Sequence, residues 1–315
     1  MKFSKALEGY LLFAPTKYAA ATLSHYSDTL RMVEKHFGSR ELNSITSEDM
    51  QKYFNYLKNE YKPNRITRLG VEPTLMTAAG VEGYWKAIRS FYNWAETAVK
   101  CKRPDKNIAR PKYMLAPVKA FTREELKCIM YAAEWSTVAK TEVKQAYRAH
   151  RSSYKKDLAL LRFMLDTGLR VGEICRVRIE DVDLENGTVV VRPFGSGQKT
   201  KPRIVYLGKS SRHSLWVYLA DKEYDKSDSL FGVREKGILT LIKSIGAKAG
   251  VEDCHPYRFR HTFAIEYLRS NRDPFSLKRL LGHSTLDMSN HYLDILEADL
   301  AHFHSGASPV DIIFK

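Results

Sequence analysis

Long apolar runs are missing from this chain. No stretch approaches the roughly 20 consecutive apolar residues needed to cross a bilayer, and Met1-Lys2-Phe3-Ser4-Lys5 does not open a signal-peptide core. The expected location is therefore the cytoplasm, with no membrane partner. Cysteine is sparse: Cys101, Cys128, Cys175 and Cys254 lie far apart, a spacing that excludes a disulfide framework and paired zinc ligands. They read as reduced thiols. Acid is in deficit, with 36 Asp+Glu against 51 Lys+Arg, a formal charge of +15 and a pI near 9.5. That imbalance suits a protein lying along a polyanion and makes nucleic acid the leading partner, although a basic surface that serves solubility alone has the same charge. Low-complexity sequence is absent too, and 315 residues at 44% hydrophobic suffice for two cores of ordinary domain size.

The first part of the chain has helical periodicity. Leu23, Tyr26, Leu30, Val33 and Phe37 predict one helix closed by Gly38, and Met50, Phe54 and Leu57 predict a second opened by a capping box at Thr46-Ser47-Glu48-Asp49. A third is expected from about Thr77 to Val99. Its row of Trp85, Ile88, Phe91, Tyr92 and Trp94 repeats at helical period, which marks core in preference to a base-stacking platform. From Lys100 to Pro117 prolines alternate with Lys102, Arg103, Lys106, Arg110 and Lys112, the best place for a boundary. The division expected is a helical domain over 1–105, a basic linker over 106–117 and a second domain over 118–315. The linker could cross a phosphate backbone or simply be solvated.

The second part opens on another capping box, Thr122-Arg123-Glu124-Glu125, followed by helices at about 157–167 and from Val171. The period then changes. Thr188-Val189-Val190-Val191-Arg192 and Arg203-Ile204-Val205-Tyr206-Leu207 read as strands joined by a Gly- and Lys-rich tip, with Asn186-Gly187 as a turn leading in. From about Lys236 the pattern is helical again. The fold class expected is mainly α with a small antiparallel β-sheet.

Four short segments carry chemistry. Arg170 follows Gly168 at a corner, where a guanidinium can project into a cleft and Glu173 can orient it; alone the heptapeptide reads as a surface ion pair, and with Arg260 it reads as half of an anion clamp. Arg260 is expected at the N-terminal end of a helix whose apolar stripe is Phe263, Tyr267 and Leu268, where dipole and guanidinium both favour phosphate. Neighbouring His261 reads as a structural hydrogen-bonding residue. His283, after Leu280-Leu281-Gly282, is expected in an exposed turn, followed by a capping box at 284–287 and a short helix bearing Tyr292, whose hydroxyl can serve as nucleophile.

Thr167-Gly168-Leu169-Arg170, Phe259-Arg260-His261-Thr262-Phe263-Ala264, Leu280-Leu281-Gly282-His283 and His291-Tyr292 together resemble the signature of the tyrosine recombinases, or phage integrase family. The separations 283 − 260 = 23 and 292 − 283 = 9 agree with that family. The resemblance spans about Thr122 to Val310, and the N-terminal region resembles the family's SAM-like core-binding domain. It implies a site-specific recombinase that cuts and rejoins double-stranded DNA through a 3′-phosphotyrosyl link at Tyr292, without metal, cofactor or ATP. Arg170, Arg260 and His283 would hold the phosphate, and a hairpin lysine, Lys199 or alternatively Lys201, would protonate the leaving 5′-oxygen. Four protomers would assemble on two DNA sites, with a monomer in solution as an open alternative. Three residues before its second arginine the family usually carries a histidine, and here Tyr257 stands in that place as the substitute. A His255-x-x-Arg258 pair also exists but breaks the spacing to His283. The apolar tail from Ser308 would pack on a neighbouring protomer or fold back on its own domain. Two rivals remain: type IB topoisomerase-like relaxation of DNA, and a non-catalytic DNA-binding regulator on the same scaffold.

Overall fold

A computed structural model describes residues 1–63, 73–113, 119–138, 147–194, 202–220, 223–271, 273–283, 285 and 292. The hairpin tip with Lys199 and Lys201, all of the capping box expected at 284–287 except residue 285, and the C-terminal tail fall outside the described residues. The chain divides into two compact units, Met1–Ala116 and Pro117–Lys315. Among the described residues no helix is long and apolar enough to cross a membrane.

The first unit contains helices α1 (Phe3–Phe13), α2 (Ala20–Phe37), α3 (Ser47–Asn59) and α4 (Ala78–Val99). The Thr46 side chain and Asp49 form the expected capping box at the start of α3, and Thr77 caps α4 by accepting the Gly80 N–H at 3.2 Å. The aromatic row of α4 is core: Phe91 packs against Phe3 at 4.9 Å between ring centroids and edge-on against Tyr10 at 5.7 Å. Helix α1, which sequence periodicity does not single out, supplies those partners. The basic stretch after α4 is tied down. Arg103 makes two bonds of 2.7 Å to buried Asp105, Arg110 Nε donates to buried Glu82 at 2.6 Å, and Trp85 Nε1 donates to the Ile108 carbonyl at 3.0 Å.

The second unit contains α5 (Arg123–Glu134), α6 (Tyr154–Thr167), the single turn α7 (Val171–Ile174), strands β1 (Val182–Asp183), β2 (Thr188–Val191) and β3 (Arg203–Tyr206), then α8 (Lys209–Leu219), α9 (Glu235–Ala249), α10 (Pro256–Asn271) and α11 (Pro274–Leu281). The sheet is antiparallel in the order β1-β2-β3, with Val189 opposite Val182 on one side and Val205 on the other. One buried face, Val189, Val191 and Val205, joins the main core with Leu160, Leu161 and Phe163 of α6. A smaller cluster of Ala264, Ile265 and Leu268 from α10, Leu277 and Leu281 from α11, and Tyr292 stands beside it. The chemistry gathers at that second cluster.

Candidate active site

Arg260 is the centre of the pocket and is 1% exposed. Helix α10 starts at Pro256, a residue whose fixed φ suits a first helical turn, so Arg260 lies a full turn inside the helix. The expected placement at the helix N-terminus is therefore corrected: what holds this guanidinium is the ends of two other helices. Its Nη1 donates to the Gly168 carbonyl at 2.7 Å, just past α6, and Nη2 donates to the carbonyl of Leu281, last residue of α11, at 3.0 Å. Helix C-termini carry partial negative charge, which favours a cation without cancelling it. Burial, and after it the neighbouring Arg170, lower the Arg260 pKa to about 10, which leaves it charged at neutral pH.

Two glycines make this approach possible. Gly168 has φ +59°, and a Cβ there would lie 2.3 Å from Phe263 Cδ1 and 2.9 Å from Leu281 Cδ2. Gly282 (φ +65°) ends α11 in a left-handed turn: its N–H bonds to Arg279 O at 3.2 Å and the His283 N–H bonds to Lys278 O at 3.1 Å. That turn directs His283 inward. At 5% exposure it is buried, not the solvent-facing turn residue expected from sequence. His283 Nε2 lies 3.0 Å from Arg260 Nη2. A guanidinium can only donate, so Nε2 accepts and the ring is neutral with its proton on Nδ1. Burial and the cations Arg260, Arg170 and Arg203 agree with this by lowering the His283 pKa to about 4.

Arg170 immediately precedes α7 at the corner, as expected. Its N–H bonds to Glu173 Oε2 at 2.9 Å, and its Nη1 lies 3.5 Å from Glu173 Oε1. Glu173 is more tightly engaged by Arg203, which opens β3: Nη1 and Nη2 donate to the two carboxylate oxygens at 3.1 and 2.8 Å, and Nε donates to Leu280 O at 2.6 Å. Burial raises the Glu173 pKa, and the hydrogen bonds and charge of Arg203 together with those of Arg170 more than offset that, leaving it below the ordinary carboxylate value. Arg203 thus ties β3 to α7 and α11, a role hidden in sequence, where it is one basic residue beginning an apolar strand. Nη1 of Arg170 and Nε of Arg260 are buried donors that make no hydrogen bond in the described structure.

Tyr292 is 3% exposed. Its ring lies parallel to that of His283, with centroids 6.4 Å apart and 5° between planes, and its hydroxyl is 2.9 Å from His261 Nδ1. Burial pushes the phenol up to about 12, with Arg260 and Arg170 pulling the other way. His261, which sequence alone marks only as a structural hydrogen-bonding residue, is thus in hydrogen-bonding contact with the candidate nucleophile. Tyr257 is half exposed and packs edge-on against the His261 ring at 4.5 Å and 80°. The signal in sequence was the spacing: 257 and 261 are four apart and share one helix face.

Arg258 turns away from all of this. It pairs with Glu125 at 2.7 and 2.9 Å, donates to the carbonyls of Lys119, Ala120 and Glu252, and covers the Phe121 ring at 4.1 Å. It staples α10 to the segment leading into α5, while Arg260 faces the pocket. The assembled site is cationic and largely buried, with the Tyr292 hydroxyl at its wall, an arrangement suited to an oxyanion bearing a displaceable group.

Comparison with known proteins gives the same picture. A family model described as "Phage integrase family" matches residues 136–298. The chain is 26% identical over 264 residues to tyrosine recombinase XerA of Saccharolobus solfataricus, covering 84% of this chain and 79% of that protein. It is 26% identical over 305 residues to tyrosine recombinase XerC of Staphylococcus aureus, covering 93% and 92%. Its fold is similar to that of a lambda integrase dimer bound to a core site (TM-score 0.68, 16% identity, 93% and 95% coverage) and of XerH recombinase in a post-cleavage complex (TM-score 0.66, 17% identity, 98% and 85%). With the family model covering more than half its length and the pocket built as described, the chain belongs to the phage integrase family of tyrosine recombinases.

Proposed function

We propose that this protein is a site-specific DNA recombinase that cuts and rejoins duplex DNA through a tyrosine, and that Tyr292 is that tyrosine. The observation that carries the reading is the convergence of the Tyr292 hydroxyl, His283 and Arg260 in one buried pocket. Arg170 and Arg260, each with a buried donor that makes no hydrogen bond among the described residues, would bind the non-bridging oxygens of the scissile phosphate and stabilise charge as it develops. His283, neutral and held by Arg260, would donate through Nδ1 or exchange its bond to Arg260 for one to phosphate. Lys199, or Lys201, would supply a proton to the leaving 5′-oxygen. The 3′-phosphotyrosyl bond would conserve the energy of the broken diester, so religation would need no nucleotide. Relatives of the same fold are described as bound to their DNA sites, and the net charge of +15 fits such a partner. The working form would be a homotetramer on two sites in the cytoplasm.

The test is covalent capture. A pool of nicked duplexes with randomised cores is incubated with the protein, quenched in SDS and sequenced from the protein-linked fraction; the nick lets the short 5′-hydroxyl fragment diffuse away and traps the adduct. The wild type should yield an SDS-stable protein–DNA species enriched in one core sequence, and Tyr292→Phe none. An empty wild-type lane, or an equal adduct from Tyr292→Phe, overturns the reading.

A further inference from the structure

A buried phenol that attacks phosphorus must give up a proton, and the pocket narrows the candidates to receive it. Arg170 and Arg260 are donors only. His283 offers Arg260 the lone pair of Nε2 and carries its proton on Nδ1. Tyr257, in the place where the family usually has a histidine, is itself a phenol, half exposed, and poorly able to accept a proton near neutral pH. One helical turn further along the same face of α10, His261 Nδ1 lies 2.9 Å from the Tyr292 hydroxyl, and the edge of Tyr257 abuts its ring.

We infer that His261 is the general base for Tyr292, one helical turn along α10 from Tyr257. Tyr257 then acts as a positioning residue that fixes the imidazole plane. The inference rests on the reading of Tyr292 as nucleophile. In the step, the Tyr292 Oη–phosphorus bond forms as the phosphorus–O5′ bond breaks. The phenolic proton passes to His261 Nδ1, whose ring carries its other hydrogen on Nε2 and becomes imidazolium, and the 5′-oxygen takes a proton from the hairpin lysine. Religation by a 5′-hydroxyl reverses both transfers. A phenol pushed up to about 12 by burial has little tendency to ionise unaided, which is where a contacting base has its effect. Among the described residues, the groups facing this proton include Tyr257 on the same helix, Tyr292, His283 beyond it, and the cations Arg260 and Arg170.

Single-turnover cleavage of a duplex recovered by the covalent capture above provides the test. His261→Asn keeps a polar group near the Nδ1 position but cannot act as a base at neutral pH. It should cleave about 10²-fold more slowly at pH 7, its rate should climb with pH where the wild type has levelled off, and added imidazole should speed up His261→Gly. Tyr257→Phe, which keeps the ring, should stay within a few-fold of wild type. Wild-type rates and pH profile in His261→Asn overturn the inference, as does a loss of about 10²-fold in Tyr257→Phe instead. Should the variants fold poorly by circular dichroism, the wild type decides alone. With a 5′-bridging phosphorothiolate, whose sulfur leaves without a proton, its rate should still fall as pH drops through the imidazole range, and a flat profile overturns the assignment. Absence of any adduct in the wild type would sink the parent reading instead, so the two failures are distinct.

Discussion

Arg103 in the first unit and Arg260 in the second are both drawn out of solvent, but their partners differ in kind. Arg103 is met by the Asp105 carboxylate at 2.7 Å on two sides and by Glu96 at 3.2 Å. Arg260 is met by the carbonyls of Gly168 and Leu281. A carboxylate neutralises a guanidinium and makes it a staple, whereas a carbonyl orients it and leaves its charge available. The contrast recurs within α10, where Arg258 pairs with Glu125 and Arg260, two residues on, has no carboxylate in hydrogen-bonding contact among the described residues. Net charge alone does not identify a binding surface, because the arginines of the basic stretch after α4 are largely consumed locally.

The comparison breaks most sharply at Arg260. Arg260→Met should slow single-turnover DNA cleavage by about 10³-fold while costing less stability than Arg258→Met, about 1–2 kcal/mol, because relief from burying a charge partly offsets the donors lost to the Gly168 and Leu281 carbonyls. Urea unfolding and cleavage of the same preparation check both halves; a large loss of stability would make Arg260 a staple after all. Arg258→Met should do the reverse. It strips partners from Glu125 and three carbonyls and should cost about 3 kcal/mol, with cleavage within a few-fold of wild type at temperatures where the variant is folded.

A smaller effect is expected at His283. Its pKa is lowered by folding from 6.5 to about 4, so as pH falls through that window the unfolded chain takes up the proton first and stability is lost, levelling off below about 4. Melting temperature against pH should therefore fall more steeply between those values in the wild type than in His283→Gln, which keeps an acceptor toward Arg260. Parallel curves would show that His283 is not the neutral acceptor described.

Much of this was legible in advance, and the physical reasons for success and failure are separable. Capping boxes at Thr46 and Thr122 and the stop at Gly168 are local, so sequence announces them. Helix α1 lacks a capping side chain, and α8 begins without one at Gly208 and bunches its apolar residues in Leu215-Trp216-Val217-Tyr218-Leu219, so neither advertises itself. Within the site, residue identities were readable while directions were not. His283 turns inward because of a glycine turn whose handedness carries no visible side-chain signal, and Arg203 gains its role from Glu173, thirty positions away. His261 was passed over because one histidine beside an arginine says nothing until the partner across the pocket is in place.

The two carbonyls that seat Arg260 have a genetic consequence. Every residue contributes the same backbone oxygen, so drift in the side chains of α6 and α11 cannot delete this half of the pocket, and the burden shifts to Gly168 and Gly282, where any added Cβ collides with Phe263 or with the Arg203 guanidinium. A deep mutational scan scored for recombination should accordingly reject even alanine at both glycines, while changes such as Thr16→Ala at exposed positions outside the pocket are tolerated.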